Sequence, residues 1–233
     1  MTDIAEIIKN NIIEVRRKIE NAAIKAGRDP GEITLVAVTK TALPEMVAAA
    51  ANNGIKDFAE NRVQELTKKL ALTGDSCRWH MIGHLQTNKI KQVLGKVRLI
   101  HSVDSIELAE AIQKRAEALD IYADILIEVN VSGEETKFGV SKDALMFLIE
   151  NASRLKNVNV RGLMTIAPYT ESSESVRPIF RMLRQLSLDI GSEKIDNVHM
   201  DILSMGMSND FETAIEEGSN LIRIGRSIFN KNI

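Results

Sequence analysis

A single cysteine, Cys77, rules out an intrachain disulfide and makes a cysteine-based metal cluster implausible. Aromatic residues are scarce, at 4%, so the stacking platforms that hold unpaired bases are not expected. No charge of one sign dominates. Thirty Lys and Arg against 32 Asp and Glu leave a formal net charge of −2, too little for the basic field that draws a protein to nucleic acid. The locally basic Lys89-Ile90-Lys91 reads as a solvated helix face. No run of about 18 apolar residues is present to span a bilayer. The start, Met1-Thr2-Asp3-Ile4, lacks the charged and apolar regions of a secretory signal. The expected setting is therefore the cytoplasm, with no membrane or nucleic-acid partner.

Hydrophobic residues at 44% and charged residues at 27% are those of a globular chain, and 233 residues can bury a large core without staples. Residues 3–26 read as a helix, with Ile4, Ile8, Ile12, Val15 and Ile19 on one stripe and Asp3 with Glu6 at capping-box spacing. Beyond Gly27 and Pro30-Gly31 the pattern alternates. Short apolar runs at 33–38, 57–59, 80–82, 99–102, 124–129, 160–163, 201–203 and 221–224 are read as strands. Helical patterns fall between them, including one from near Asn88, one at 105–119 capped by Asp104, and one opened by Ser141. Ile33 to Val38 is apolar almost throughout and rich in β-branched residues, as expected of a strand covered on both faces. Eight strands alternating with helices point to α/β architecture: a single (β/α)₈ TIM-type barrel over residues 1–233, preceded by an extra helix over 1–26.

In such barrels the chemistry sits at the carboxyl ends of the strands. Lys40 follows the first strand, where it can enter the barrel mouth and lose solvent, favouring the neutral amine that Schiff-base chemistry needs; a lysine snorkelling out of a strand end is the plainer reading. The loops after strands seven and eight, Ser204-Met205-Gly206-Met207-Ser208 and Gly225-Arg226-Ser227, have the small and hydroxyl residues of a phosphate cradle, although ordinary turn chemistry accounts for them equally well. Arg223, between Ile222 and Ile224, points opposite to both. It faces either a ligand or a buried carboxylate such as Asp201. His80 and His84 have the i, i+4 spacing of a zinc pair on a helix, but the intervening Met81-Ile82-Gly83 suits strand and loop, so no metal site is expected. His101 and His199 read as packing or loop residues.

These residues carry a resemblance. Leu35-Val-Ala-Val-Thr-Lys40, Phe58-Ala-Glu-Asn61, Trp79-His-Met-Ile-Gly83 with Leu85-Gln-Thr-Asn-Lys89, Glu128-Val-Asn130, Lys137-Phe-Gly139, Arg161-Gly-Leu-Met164, Leu203-Ser-Met-Gly-Met-Ser208 and Ile222-Arg-Ile-Gly225 together resemble the YggS/PROSC-like family of pyridoxal-phosphate homeostasis proteins, nearly end to end. The resemblance implies a barrel like the amino-terminal domain of alanine racemase, holding pyridoxal 5′-phosphate (PLP) as a covalent imine on Lys40. It implies phosphate contacts from Met207-Ser208 and Gly225-Arg226, Arg223 facing the pyridine nitrogen, and Asn61 beside the cofactor. Arg226 departs from the small hydroxyl residue common in the family, as do Asn230 from its glycine and the end at Ile233 from its longer tail.

The expected function is PLP homeostasis, with the protein carrying or buffering the cofactor without efficient catalysis and without a catalytic residue of its own. Apo-forms of PLP-dependent enzymes are the expected partners, and a monomer the expected state. The alternative is a PLP-dependent amino-acid racemase, for which only Tyr122 and Tyr169 offer a phenolic base. A barrel for an unrelated phosphorylated ligand is a third reading.

Overall fold

The structure, a computed structural model, describes residues 4–73, 77–134 and 136–230. Its strands are β1 (Thr34–Val38), β2 (Asp57–Glu60), β3 (Arg78–Met81), β4 (Leu99–Val103), β5 (Ala123–Glu128), β6 (Val158–Met164), β7 (Val198–Ser204) and β8 (Leu221–Ile224). They pair in chain order and in parallel, and β1 pairs back onto β8 from Thr34↔Leu221 to Ala37↔Ile224, which closes the barrel. The expected (β/α)₈ architecture is observed.

Successive strand residues point to opposite faces, and this period divides the core in two. Outward residues such as Ala37, Phe58, Ile125, Ile127, Ile222 and Ile224 pack beneath the helices. Inward residues Val36, Val38, Ala59, Leu99, Leu126, Met164 and Leu221 form a separate apolar cluster in the lumen. The same parity sends polar groups inward. Asp57 lies two residues before Ala59, His101 two after Leu99, Glu128 two after Leu126 and Arg223 two after Leu221, and all four are buried. An apolar lumen interrupted by charged and imidazole groups is costly unless those groups are hydrogen-bonded.

The outer layer consists of α2 (Pro44–Asn52), α3 (Val63–Lys69), α4 (Ile90–Val93), α5 (Ile106–Ala118), α6 (Lys142–Ala152), α7 (Arg177–Ser192), α8 (Phe211–Glu216) and α9 (Arg226–Phe229). The extra helix, α1 (Ile4–Lys25), buries the expected stripe of Ile8, Ile12, Val15 and Ile19 against α2, α8 and α9. Its buried Asn11 donates from Nδ2 to the carbonyls of Ile228 (3.0 Å) and Asn230 (3.2 Å). It thereby ties down the end of α9, whose first residue reaches the barrel mouth. Asp3 of the expected capping box lies outside the described residues.

Two local expectations are corrected. The helix after β4 is capped by Ser105, whose Oγ accepts from the Leu108 N–H at 3.3 Å, and not by Asp104. The helix expected from Asn88 is a 3-10 turn over Thr87–Lys89 followed by the single turn of α4, because Gly95 follows so closely. No helix among the described residues is long and apolar enough to cross a membrane.

Candidate functional site

The carboxyl ends of the strands open onto a cavity of about 600 Å³, and all seven expected site residues line it: Lys40, Asn61, Met207, Ser208, Arg223, Gly225 and Arg226. The sequence brought them forward from four separate segments. Barrel closure places β1 between β2 and β8, so the segments after those strands meet at one mouth.

Lys40 lies two residues beyond the end of β1 and is exposed. The desolvated setting expected for it is not observed, since β1 ends at Val38 and the chain turns outward before Lys40. The preceding residue is firmly held. Thr39 is buried, its Oγ1 donates to Glu60 Oε1 (2.6 Å), and its carbonyl accepts from Lys69 Nζ (2.6 Å). Lys69 also pairs with Glu60 at 2.7 Å, both side chains being buried. Glu60 Oε2 accepts from the Asn61 N–H at 3.2 Å. One carboxylate between β2 and α3 therefore fixes the backbone at Thr39 and at Asn61, on either side of the cavity edge. Gly83 closes this side. A Cβ there would meet the Asn61 carbonyl oxygen at 2.1 Å, so no other residue fits.

Arg223 points into the lumen, as its parity requires, and reaches the cavity. It does not pair with Asp201, which binds Arg161 at 2.7 Å. Its NH1 donates to Ser204 Oγ (2.5 Å) and its NH2 to the Thr165 carbonyl (2.8 Å). No carboxylate among the described residues lies within ion-pair distance of it. Burial lowers its pKa to about 10, with Glu128 and Asp210 pulling the other way, so it remains a cation at neutral pH. Glu128 faces the same cavity. Burial, with Asp104 adding to it, raises its carboxyl to about 7 against the pull of Arg223.

The phosphate-type loops meet as expected. Ser208 Oγ accepts from the Ser227 N–H at 3.3 Å, and Arg226 NH2 donates to Asn209 Oδ1 at 3.1 Å, which links the segments after β7 and β8. A Cβ on Gly225 would come within 3.2 Å of the Val38 carbonyl oxygen, so glycine keeps this wall open. The Met207 N–H is already taken by Asp210 Oδ1 at 2.5 Å.

Sequence reasoning did not single out several lining residues. His84 and Phe138 stack with centroids 4.4 Å apart along one side, although His84 had been set aside. Tyr169, named from the sequence as a candidate phenolic base, also lines the cavity, with Arg226 over its ring at 5.9 Å. Tyr122, just before β5, lies at the other end of the barrel and is exposed. Glu128 and Phe138 stood within recognised motifs, and inward parity from Leu126 was the signal that could have found Glu128.

Three comparisons bear on this arrangement. The family model described as alanine racemase, N-terminal domain, matches residues 8–232. A protein of Aquifex aeolicus named pyridoxal phosphate homeostasis protein is 50% identical over 218 residues, covering 93% of this chain and 95% of the relative. One of the same name from Escherichia coli is 39% identical over 235 residues, covering 98% and 97%. The structure of PipY from Synechococcus elongatus with PLP bound superposes with a TM-score of 0.83 at 29% identity, covering 96% of this chain and 100% of that one.

Proposed function

We propose, from the premise that this chain belongs to the alanine racemase N-terminal domain family and within it to the pyridoxal phosphate homeostasis proteins, that it binds PLP and serves PLP homeostasis as a carrier or buffer of the cofactor. The observation that carries this reading is the convergence on one cavity of a primary amine, a buried guanidinium and two small-residue loops. Those groups fit the three ends of the cofactor. Lys40 Nζ is the amine for the aldehyde carbon, held covalently as an imine with loss of water. Ser208, Gly225 and Arg226 are suited to the phosphate, and Arg223 to the pyridine nitrogen. Asn61 flanks the ring.

The bound cofactor supplies an aldehyde and an electron-accepting ring, and Arg223 decides how much of that ring's power is used. A guanidinium only donates hydrogen bonds. It favours an unprotonated pyridine nitrogen, which is a weaker electron sink, so carbanion chemistry is disfavoured while reversible covalent carriage is not. The exposure of Lys40 suits exchange with solvent and with apo-enzymes.

The second reading, an amino-acid racemase, rests on Tyr169, which lines the same cavity as Lys40. Racemisation requires a proton acceptor on each face of the substrate carbon. Tyr169 is 76% exposed, and an exposed phenol has no low-dielectric setting to sharpen its role. We further propose that the protein is monomeric and cytoplasmic. The test is to mix PLP-loaded protein with an apo-enzyme and to assay alanine and serine racemisation in parallel. Cofactor transfer without turnover is expected. Turnover that tracks the protein and disappears in both Lys40→Ala and Tyr169→Phe would establish the racemase reading instead.

A further inference from the structure

A continuous chain of hydrogen bonds crosses the barrel lumen beneath the cavity. Arg223 NH1 meets Ser204 Oγ at 2.5 Å, and Ser204 Oγ meets His101 Nδ1 at 3.0 Å. His101 Nε2 meets His80 Nδ1 at 3.0 Å, and His80 Nε2 meets Asp57 Oδ1 at 3.1 Å. The path runs from β8 to β7, across the lumen to β4, and through β3 to β2. Ser204, His101, His80, Asp57 and Arg223 are all buried. At its far end Asp57 also binds the half-exposed Arg78, at 2.8 Å from Nε. Asp57, His80 and Arg78 there line a separate cavity of about 170 Å³ at the opposite mouth.

The ends of this chain fix its direction. Arg223 can only donate, so Ser204 Oγ accepts from it and is free to donate its own hydrogen to His101 Nδ1. The Asp57 carboxylate accepts, so His80 Nε2 carries a hydrogen. Burial alone would raise the Asp57 carboxyl, but the bonds from His80 and Arg78 outweigh it and keep it ionised. With both ends set, neutral His80 has a bare Nδ1, and His101 must donate to it from Nε2. Every link is then satisfied with both imidazoles neutral and in the Nε2–H form. The reverse order would require a hydrogen on both nitrogens of His80, adding a cation beside an Asp57 carboxylate that Arg78 already pairs. Such a charge is expensive to bury. His101 resists protonation chiefly because it is buried, and the Arg223 cation adds to this, so its pKa lies well below the ordinary 6.5.

We infer that His101 and Ser204, oriented through His80 by Asp57, are positioning residues that aim the Arg223 guanidinium at the cofactor cavity. Arg223 has no direct carboxylate partner among the described residues, so its placement depends on neutral acceptors whose lone pairs must point the right way. The relay supplies that orientation, and it makes the distant Asp57 part of the site's electrostatics. This inference deepens the PLP-binding reading and rests on it for its effect on cofactor affinity. The relay itself does not require that reading.

The test has two arms. Long-range ¹H–¹⁵N spectra of histidine-labelled protein without PLP at pH 7.5, assigned with His84→Gln and His199→Gln variants, should show His80 and His101 each with a protonated Nε2 and a bare Nδ1. An Nδ1–H form or a doubly protonated ring at either position would overturn the relay's direction. In the second arm, Ser204→Ala cuts the chain between His101 and Arg223. Loss of a hydrogen bond to a charged group should weaken PLP binding roughly tenfold or more and shift the visible absorbance of the bound cofactor. Ser204→Thr, which restores the hydroxyl, should recover both. In the apo-protein the Arg223 Nε–H signal should exchange faster in Ser204→Ala, so the positioning is read even if PLP does not bind. Unchanged affinity, absorbance and arginine exchange in Ser204→Ala would overturn the positioning role. If Ser204→Ala does not fold, Asp57→Ala, which removes the acceptor for His80 Nε2 at the far end of the relay, takes its place under the same readouts.

Discussion

Replacing Glu128 by Gln should stabilise the protein, and by an amount that grows with pH. Glu128 is 5% exposed at the end of β5, and no cation among the described residues lies within ion-pair distance of its carboxyl. Its pKa is raised from 4.5 to about 7, chiefly by burial. Between those two values the folded protein holds a proton that the unfolded chain has released. Stability from this group is therefore full below pH 4.5 and falls as pH rises through 7, levelling off above. The gap corresponds to about 3 kcal/mol, a large fraction of the roughly 5–15 kcal/mol that holds a typical domain together. Glutamine has the same shape and no charge to bury. Urea denaturation of wild type and Glu128→Gln at pH 5, 6, 7 and 8.5 should give curves whose difference shifts progressively in favour of the variant, by about 2–3 kcal/mol between the lowest and the highest pH. At pH 5 the variant should be level or slightly weaker, owing to an imperfectly placed amide worth about 1 kcal/mol. A constant difference across the whole range would refute the claim that burial holds this carboxyl protonated near neutrality.

Other outcomes follow from the same geometry. Lys69→Met leaves Glu60 buried without its cation, and breaking a buried pair costs about 3–5 kcal/mol; denaturation showing a loss under 1 kcal/mol would mean that the Thr39–Glu60–Lys69 group does not hold the Lys40 turn. Ser208→Asp sets a negative charge against the proposed phosphate loops, so PLP affinity should fall at least tenfold while pyridoxal, which lacks the phosphate, is little affected. Titrations showing equal losses for both ligands would place the phosphate elsewhere. Asn11→Ala removes two bonds to the end of α9 and should lower stability by about 1–2 kcal/mol, measured by urea denaturation, with PLP affinity falling if α1 supports the loop at Arg226; no change in either would confine Asn11 to a passive place in the core.

Much of this arrangement could be read from the chain, for definite reasons. The strand positions came from short apolar runs bounded by turn residues, and β8 is observed at the limits expected for it, Leu221–Ile224. Cavity-lining residues such as Lys40 and Arg223 were reachable because a parallel barrel always presents its strand ends at one mouth. What escaped depends on closure. His101 read as a packing residue because its partners, His80 and Ser204, are 21 and 103 positions away and meet it only across the lumen. Local sequence cannot choose between a ligand and Asp201 for Arg223, since both choices satisfy the same parity. Lys40 was expected to be desolvated because a buried strand precedes it, but β1 stops at Val38 and the turn at Thr39 carries the side chain back toward solvent. The cap at Ser105 rather than Asp104 is a shift of one residue, decided by which side chain reaches the Leu108 N–H.

The central claim is that Lys40 holds PLP covalently. Borohydride reduction of the PLP-loaded protein, followed by digestion and peptide mass mapping, tests it directly. The pyridoxyl adduct should fall on the peptide containing Lys40, and Lys40→Ala should lose both the adduct and the visible absorbance. An adduct found only on other lysines, or full absorbance retained in Lys40→Ala, would contradict the assignment.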